Sequence, residues 1–553
     1  KNGPINGWVI PAQQRRKVEA ADMVNDLRHQ GVEVERASSA GTFGKVSVAP
    51  GDYVIRADQP YRTLVDMYFA LQNYPSANPL PYDDTGWTMP LMRDVKVETI
   101  ADKAIFNLPA MMITEDTRIP GAITGSGNTL IVDHTSDNTL VTFRFKNADT
   151  KMLAAEDDFD LDGHHFRAGA FIIPDADTSK LAPSIKELGL SAWATGSAPA
   201  VKTHELTVPR IGYVHTWQRT QDEGWVRAAL DHYGIPYTYF ADQKLREGNL
   251  RSKYDVILFP SVGGSSVSQV NGIPKVGTDP IPYKKSDLTP NLGANDSSDD
   301  IRGGMGIEGL TELTKFVQQG GTLITEGSTS MILPDYGITT SITVEHPTQL
   351  YVKGSILRGI ITDKKSPITY GYDGNQLPIY FSQEPVLHVN ATPGFGGFGR
   401  PPAIPGVGQD ITPNAVPEKL SPYDPDENPL PQTKQPSQLS EAEAMQRMLR
   451  QYGVIFDENA KPRVVMEFPR KPEEILLSGG LAGPQYLAGH PLVVDVPLGG
   501  GHVVMFALRP FWRWQTQGTY FLGFNAILNW NHLDAGKPEA KKAAERSATS
   551  LQP

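Results

Sequence analysis

The sequence predicts an α/β protein in which two small α/β modules precede a larger domain with a doubly wound sheet and long loop insertions. Apolar patterns typical of strands and of helices alternate along most of the 553 residues. A continuous apolar run at residues 254–260 is typical of a strand buried on both faces of a parallel sheet. The chain is also too long for a single hydrophobic core.

Residues 1–110 form the first predicted module. A strand at residues 8–11 precedes a helix over residues 18–27, where apolar side chains recur every three or four positions, and Gly31 follows as a helix stop. Further strands are predicted at residues 32–34 and 53–55, with a turn at residues 49–52. A second amphipathic helix is predicted over residues 64–71, with Leu71 on its apolar face.

Residues 111–205 form a second predicted module that repeats the order helix, strand, turn, strand. A strand at residues 130–132 precedes a helix near residues 136–147, and a strand at residues 152–154 follows. Residues 166–174 close this module much as residues 48–55 close the first. The repeated order predicts that the two modules are structurally related.

Residues 206–535 form the predicted larger domain, and residues 536–553 are a tail. Strands at residues 211–214, 254–260 and 322–325 alternate with helices, one of which is predicted to start with a capping box of Thr220 and Glu223. A second helix cap is predicted at Ser440 and Glu443, and strands follow at residues 464–466, 492–494 and 503–506. Polar insertions near residues 262–305 and 391–437 are predicted surface loops.

The composition excludes several function classes. The chain has 51 Lys and Arg against 62 Asp and Glu, a formal net charge of -11, and no dominant basic stretch, which argues against nucleic-acid binding. No apolar run approaches the roughly 20 residues of a membrane-spanning helix. Cysteine is absent, so no disulfide or thiolate is available. Since the sequence begins at Lys1 without a signal peptide, we expect either a cleaved end or, preferably, a start within a longer polypeptide.

Two short motifs offer candidate metal ligands. Asp158, Asp160 and Asp162 match the first half of a calcium loop, but its twelfth position is Gly169 instead of a bidentate Glu. The favoured alternative is a hairpin turn with solvated acids. The adjacent pair at residues 164–165 consists of two histidines, which would point to opposite faces of a strand and so disfavour joint ligation.

Aromatic and charged residues cluster at a predicted strand-to-helix junction. They are Trp217, Asp222, Glu223 and Trp225. Ligands of open α/β sheets bind beyond the carboxyl ends of the strands, so these residues are a candidate small-molecule or glycan site. The alternative is a capping box beside a core tryptophan.

Two further motifs have structural alternatives. Two tryptophans and two arginines within residues 509–514 predict either an exposed aromatic and cationic surface or side chains packed under a loop. Gly394, Gly396 and Gly399 have dinucleotide-fingerprint spacing, but they run into Pro401 and Pro402, which cannot open the required helix. We therefore interpret the glycine motif as a flexible loop.

Several segments in sequence order carry a resemblance to a known family. They are residues 9–34, 58–62, 82–91, 166–174, 222–225, 249–257, 487–489, 509–510 and 518–521. Together they resemble the region that follows the catalytic domain in large bacterial zinc carboxypeptidase-like proteins. The resemblance implies a secreted or periplasmic parent with an upstream zinc peptidase domain. It also implies that the chain from about residue 208 is similar to the class I glutamine amidotransferase fold.

The chain departs from the metal motif of that peptidase family, which uses a His-x-x-Glu pair, a distant His and a separate Glu as general base. None of the twelve histidines has Glu three residues on. His134 has Asp137 at that spacing, but the pair precedes a predicted helix, and a helix-capping role for Asp137 is favoured. We therefore expect the catalytic domain and its zinc upstream of Lys1, and no cofactor in this chain.

The chain also departs from the amidotransferase pattern, in which a Cys nucleophile follows a central strand and a His acts as base. The turn after residues 322–325 reads Glu326-Gly327-Ser328-Thr329-Ser330, without a thiol or a Gly-x-Ser-x-Gly elbow. The sequence thus predicts a non-catalytic accessory region with the upstream peptidase domain as partner and possible homo-oligomers. Open alternatives are an extracellular binding or assembly protein and, less favoured, a hydrolase using Ser328 or Ser330.

Overall fold

The computed structural model describes residues 4–75, 77–389, 441–454 and 461–537. The α/β class is confirmed, because three large sheets take their strands from residues 7–112, 122–205 and 211–506, with helices between the strands. In these described ranges no helix combines the length and apolarity needed to cross a bilayer.

The first unit is a five-stranded antiparallel sheet of order β6-β1-β5-β2-β7 with a separate β3–β4 hairpin. Its strands are β1 (Gly7–Ile10), β2 (Glu35–Ala37), β3 (Gly41–Phe43), β4 (Val46–Val48), β5 (Tyr53–Arg56), β6 (Glu98–Ile100) and β7 (Ala110–Met112). Its helices are α1 (Lys17–His29), α2 (Arg62–Phe69) and α3 (Met89–Arg93). Both faces of the sheet are covered, because β1 alternates side chains into two hydrophobic clusters.

The second unit is a six-stranded sheet of order β15-β10-β13-β9-β14-β8 with a separate β11–β12 hairpin. Its strands are β8 (Ala122–Gly125), β9 (Thr129–Val132), β10 (Leu153–Ala155), β11 (Phe159–Leu161), β12 (His164–Phe166), β13 (Phe171–Ile173), β14 (Ser191–Thr195) and β15 (Thr203–Glu205). Its helices are α4 (Thr139–Lys146) and α5 (Thr178–Glu187).

The two units share one topology. The segment β14-β9-β13-β10-β15 of the second sheet has the same chain order and the same antiparallel pairings as β6-β1-β5-β2-β7 of the first. In each, a helix follows the first strand and a short hairpin lies between the next two strands. Gly51 and Gly169, both with positive φ, occupy the turns that enter β5 and β13. The repeat predicted from the sequence is therefore present in the strand order.

The third unit is built on a ten-stranded sheet, beside a two-stranded sheet of β20 and β23. Its strands are β16 (Ile211–His215), β17 (Thr238–Ala241), β18 (Val256–Phe259), β19 (Thr322–Glu326), β20 (Ile342–Glu345), β21 (Ser355–Ile361), β22 (Gln376–Phe381), β23 (Val386–Val389), β24 (Arg463–Glu467), β25 (Leu476–Ser478), β26 (Pro491–Leu498) and β27 (Gly501–Phe506). Its helices are α6 (Gln221–His232), α7 (Leu250–Lys253), α8 (Ser266–Asn271), α9 (Gly306–Gln318), α10 (Ile332–Asp335), α11 (Glu441–Gln451) and α12 (Tyr520–Leu528).

Half of this sheet is parallel and half is antiparallel. Strands β17-β16-β18-β19-β27 are parallel, as a doubly wound sheet requires. Strands β26, β24, β21 and β22 continue the sheet in antiparallel pairs, which the predicted architecture did not include. The change occurs at the β26–β27 hairpin, where Gly499 and Gly500 form the two-residue turn between the paired residues Leu498 and Gly501.

Several predicted boundaries need correction. The segment 32–34 precedes the strand β2 instead of forming one, and α2 ends at Phe69, which leaves Leu71 exposed. The predicted capping box is wrong, because Thr220 is the N-cap of α6 but makes no side-chain cap hydrogen bond. Residue 440 of the second predicted cap and the side chain of residue 443 are not described. The glycine motif at 394–399, the insertion at 391–437 and the tail from 538 lie outside the described residues.

The three units meet at the start of α1. Asp137 Oδ1 accepts a hydrogen bond from the Glu19 backbone N–H at 3.1 Å, so it caps a helix of the first unit instead of its own. Burial raises the pKa of Asp137 to about 6. The buried Arg16 side chain donates to the Ser136 carbonyl at 3.2 Å and to the Gln517 carbonyl at 2.9 Å. This arrangement ties residues of all three units together.

Candidate functional site

The candidate site lies where the carboxyl ends of four neighbouring parallel strands meet. Strands β16, β18, β19 and β27 run in the same direction, so the residues that follow them lie along one edge of the sheet. Their first polar side chains include Ser261 after β18 and Arg509 after β27, while Glu326 is the last residue of β19. Glu326 lies in its strand, whereas Ser261 and Arg509 lie two and three residues beyond the ends of theirs.

Arg509 is the central cation of this edge. Its guanidinium lies 3.5 Å from the Asp222 carboxylate in the first turn of α6, and 4.8 Å from the centroid of the Trp512 ring. Its Nε is buried without a hydrogen-bond partner. Burial disfavours the charged guanidinium, but the attraction of Asp222, Tyr380 and Asp84 outweighs it and raises the pKa of Arg509. Arg509 therefore stays charged in this setting.

Glu326 is almost wholly buried, with 2% of its surface exposed. Its carboxylate accepts the Thr329 backbone N–H in a capping box, while Oε1 has no hydrogen-bond partner. Burial and repulsion from Asp222 raise the pKa of Glu326 well above its ordinary value, and Arg509 offsets this only in part. Burial therefore favours the protonated, neutral form of Glu326.

Two further acids face the same cation. Burial raises the pKa of Asp222 despite the pairing with Arg509. Burial also raises the pKa of Glu384, while His346 and Arg509 lower it. Several carboxyl groups thus share one largely buried guanidinium, and burial shifts each of them towards its protonated form.

The turn after β19 has no side chain at its left-handed position. That residue is Gly327, with φ of +52°. A Cβ built there would lie 2.8 Å from Ser261 Oγ and 3.4 Å from Arg509 Nε. The space in which a nucleophile would stand on this turn is therefore already filled by Ser261 and Arg509.

The two serines of this turn are buried and hydrogen bonded. Ser328 Oγ accepts from the backbone N–H groups of Val262 at 3.1 Å and Gly263 at 2.7 Å. Ser330 Oγ donates to the Phe506 carbonyl at 3.1 Å. None of the partners that the structure gives these hydroxyls is a histidine. A serine nucleophile needs an adjacent base, which neither residue has here.

The candidate ligand residues of the first turn of α6 are divided between two places. Asp222 pairs with Arg509, and Trp225 packs against the hydrophobic cluster that contains Tyr380 and Trp512. Glu223 instead points inward, with 6% exposure and its carboxylate 3.4 Å from Arg227.

Trp217 belongs to a different contact. Its ring lies 4.8 Å from the His215 ring and 4.9 Å from the ring of Tyr283, which belongs to the 262–305 insertion. The structure therefore brings Asp222 and Trp225 together but separates both from Trp217 and Glu223. A single glycan or small-molecule site made of all four residues is not formed.

Asp84 anchors the first unit to this edge. Its carboxylate accepts from the Trp512 indole at 2.7 Å and from the Tyr380 hydroxyl at 2.8 Å. Arg513 adds a third contact at 3.2 Å and also pairs with the neighbouring Asp83 at 2.6 Å. The side chain of Asp84 is only 8% exposed, compared with 57% for Asp83.

The exposed aromatic and cationic surface predicted near residues 509–514 is wrong. Trp512 is 6% exposed and stacks on Tyr380 with ring centroids 4.9 Å apart. Trp514 packs against His232 at 4.7 Å and against Tyr520. The packed alternative is the one that the structure contains.

The calcium candidates lie on the β11–β12 hairpin, and each carboxylate has a separate partner. Asp160 contacts His165 Nδ1 at 2.9 Å, Asp158 accepts the Ala168 N–H at 2.8 Å, and Asp162 accepts the Thr195 hydroxyl at 2.9 Å. The groups of potential metal ligands found in the described ranges do not include them. The hairpin is the counterpart of β3–β4, so its position follows from the repeated topology.

The two histidines of this hairpin point apart, as strand geometry requires. The His164 ring contacts the Trp193 ring, with centroids 3.6 Å apart and the rings tilted by 44°, while His165 faces Asp160.

The other histidine candidate is structural. His134 is buried, lies 3.1 Å from the Asn525 side-chain oxygen, and has its pKa lowered to about 3 by burial. Asp137 points to α1 instead. His134 and Asp137 therefore do not form the His-x-x-Glu-type pair of a carboxypeptidase zinc site.

Two cavities lie away from the Arg509 cluster. One, of about 170 Å³, lies between the 74–85 segment and the third unit and is lined by Tyr74, Leu80 and Tyr351 among others. The other, of about 330 Å³, is lined in part by Arg15, Arg16 and Asp94. Neither lining includes Arg509, Asp222 or Glu326.

Sequence reasoning missed Glu384, Asp84 and Tyr380, and it named Glu326 only as part of a turn. An acid directly after a buried apolar strand was the one available signal for Glu326. The other three come from segments more than a hundred residues away from Arg509 along the chain, so no local pattern joins them.

Comparison with known proteins leaves the family open. No family model and no curated protein matches the chain. Among solved structures, a β-galactosidase from Bacillus circulans sp. alkalophilus is 12% identical, with 58% of this chain and 30% of that chain covered and a TM-score of 0.26. A putative ThuA-like protein from Parabacteroides merdae is 11% identical over 61% of this chain and 93% of that chain, with a TM-score of 0.27.

A cytoplasmic protein from Salmonella typhimurium LT2 is 10% identical over 61% of this chain and 93% of that chain, with a TM-score of 0.26. The chain thus spans less than a third of the length of the β-galactosidase. At these identities and TM-scores, no shared activity is inferred.

Proposed function

We propose that this chain is a non-catalytic accessory region of a metallocarboxypeptidase-like protein, and that its third unit is a scaffold without acyl-transfer chemistry. The supporting observation is the turn after β19. Its left-handed residue is Gly327, and Ser261 and Arg509 fill the adjacent space. Nucleophilic catalysis needs a side chain with an adjacent base at such a turn. The left-handed position has no side chain, and the partners of Ser328 and Ser330 do not include a histidine.

The Ser328 hydroxyl further supports a scaffold role. Its oxygen accepts from the backbone N–H groups of Val262 and Gly263. Paired backbone N–H groups of this kind could otherwise stabilise an oxyanion during acyl transfer. Because Ser328 itself takes these donors, they are not free to bind a substrate oxygen.

Fluorophosphonate labelling of the untagged chain tests the scaffold role. We expect no labelled serine, and no hydrolysis of activated esters or glutamine above the level of a Ser328→Ala variant. Stoichiometric labelling of Ser328 or Ser330, lost in the matching alanine variant, would establish a serine hydrolase and overturn the proposal.

The peptidase context rests on the resemblance of the segments in residues 9–521. It implies an upstream domain that hydrolyses peptides with a zinc-bound water, and an exported, secreted or periplasmic parent. The intact mass of the native protein, together with the upstream gene sequence, tests this. A His-x-x-Glu pair upstream would support the peptidase context, whereas a native protein that begins at Lys1 would favour a binding or assembly protein instead.

A further inference from the structure

Three side chains that are remote in sequence meet beside the two-stranded sheet of the third unit. Glu345 ends β20, His388 lies on β23, and His490 immediately precedes β26. Each offers one potential ligand atom, and these atoms all lie within 4.8 Å of one another. We propose that Glu345, His388 and His490 bind a zinc-type divalent cation.

Strand pairing holds the first two ligands on one face. β20 and β23 are antiparallel, and His388 lies opposite Thr343. Because side chains alternate along a strand, Glu345 lies on the same face as Thr343 and is a diagonal neighbour of His388. The Glu345 carboxylate is 3.6 Å from His388 Nδ1.

The third ligand comes from the turn before β26. His490 Nε2 lies 3.2 Å from the second carboxylate oxygen of Glu345. The His490 Nδ1 atom is buried and has no hydrogen-bond partner, so Nε2 is the nitrogen that this ring can present to an ion. The His490 backbone is held by hydrogen bonds to Phe468 and Leu487.

These distances suit a tetrahedral ion after small side-chain movements. Zn²⁺ binds imidazole nitrogen and carboxylate oxygen at about 2.0–2.2 Å, which separates tetrahedral ligand atoms by about 3.4 Å. The two carboxylate contacts of 3.2 and 3.6 Å are already close to that separation. The side chains of Glu345 and His388 are about half exposed, so water can complete the coordination.

The charge of the cluster also favours a cation. Two neutral imidazoles and one carboxylate give a net charge of -1, and the ion pairs of Glu345 in the described ranges are with these histidines alone. Two imidazoles and a carboxylate suit zinc and other late first-row divalent metals better than calcium or magnesium.

A second group of potential ligands serves as a contrast. Asp495, His502 and Asp534 also converge, but Lys537 already pairs with both aspartates. Burial disfavours the His502 imidazolium, yet hydrogen bonds to the aspartates outweigh burial and raise the pKa of His502 to about 9. A protonated imidazole cannot ligate a metal, so this group is better described as an ion-pair network.

Zinc binding by the untagged chain tests the proposal. Equilibrium dialysis with metal analysis should give one tightly bound Zn²⁺ per chain, and Co²⁺ should show the visible absorption of a tetrahedral site. His388→Ala and Glu345→Gln alter exposed side chains, so both variants should fold. Each should lower the zinc affinity by at least about 100-fold. Loss of a residue that only supports a metal ligand usually lowers the affinity by about 10–100-fold, so the loss of a ligand itself should exceed that.

The matched control is His165→Ala, which removes an exposed histidine that also contacts a carboxylate. It should bind zinc as the unaltered chain does. The proposal is overturned if the unaltered chain binds no stoichiometric Zn²⁺, if His388→Ala and Glu345→Gln bind it normally, or if His165→Ala loses it.

Discussion

The Arg509 guanidinium lies 3.5 Å from the Asp222 carboxylate and joins the turn after β27 to the first turn of α6. This pair closes the carboxyl edge of the parallel strands, and its two residues are 287 positions apart by their numbers. Its surroundings are largely buried and rich in carboxyl groups. Loss of either partner should therefore lower the free energy of unfolding.

Replacing Arg509 with Leu should destabilise the third unit by about 1–3 kcal/mol, because it leaves the largely buried Asp222 carboxylate without its charged partner. Urea unfolding followed by tryptophan fluorescence measures this effect, since Trp512 and Trp225 lie beside the pair. In Arg509→Leu, the additional change Asp222→Asn should recover part of the loss.

The matched control is Arg470→Ala, which removes an arginine with 86% side-chain exposure at a surface ion pair. Arg470→Ala should lower the free energy of unfolding by less than about 1 kcal/mol. Equal losses in Arg509→Leu and Arg470→Ala would contradict the central role of Arg509.

Glu326→Gln should change how stability depends on pH. Because burial raises the pKa of Glu326 in the folded chain above its unfolded value, the folded state binds the proton more tightly. The stabilisation from this proton is therefore fully present below the unfolded pKa, and it declines as pH rises through the folded pKa. The glutamine variant lacks this decline.

Urea midpoints measured from pH 5 upward should accordingly show Glu326→Gln gaining stability relative to the unaltered chain as pH rises. Glu33→Gln, which alters an exposed carboxylate, should follow the unaltered chain. A difference between Glu326→Gln and the unaltered chain that is constant over the whole pH range would argue against a buried, protonated Glu326.

Gly327→Ala should destabilise the chain more than Gly44→Ala. Both glycines have positive φ, +52° and +63°, so alanine is strained at each by about 1 kcal/mol or more. Only at Gly327 would the new Cβ also approach Ser261 Oγ, at 2.8 Å, whereas nothing lies within 4 Å at Gly44. Thermal unfolding of the two variants compares them, and equal costs would show that the space beside Gly327 is open.

Asp84→Ala should loosen the attachment of the 77–88 segment to the third unit. It removes the acceptor of three hydrogen bonds, one of them from Arg513, and hydrogen bonds to charged groups contribute about 1.5–3 kcal/mol. Hydrogen exchange of this segment should become faster. Asp83→Ala, which removes the exposed neighbour that also pairs with Arg513, should cost less than about 1 kcal/mol. Faster exchange in Asp83→Ala than in Asp84→Ala would contradict this assignment.

Local apolar patterns predicted most strands of the parallel half and the long helix α1. The strand positions near residues 211, 256 and 322 agree with β16, β18 and β19 because buried parallel strands are continuous apolar runs. The capping box at α6 failed, because Thr220 and Glu223 have the right spacing but Glu223 turns inward towards Arg227. Spacing identifies candidate partners and cannot decide between competing ones.

Sequence patterns predicted fewer residues of the candidate site than elements of the fold. Asp222 and Trp225 were identified from their place after a strand, and this follows from the general location of ligands in open α/β sheets. Glu384 and Asp84 could not be found, because what brings them to Arg509 is the packing of distant segments.

By itself the sequence determined the α/β class, the repeated order of the first two units and the absence of a thiol nucleophile. These depend on local periodicity and on residue type, which are properties of short segments. Only the tertiary structure decided that Arg509 and Ser261 fill the space beside Gly327, and that Glu345, His388 and His490 converge. The physical reason is that burial and electrostatic pairing arise from contacts between segments far apart in the chain, and no local pattern encodes those contacts.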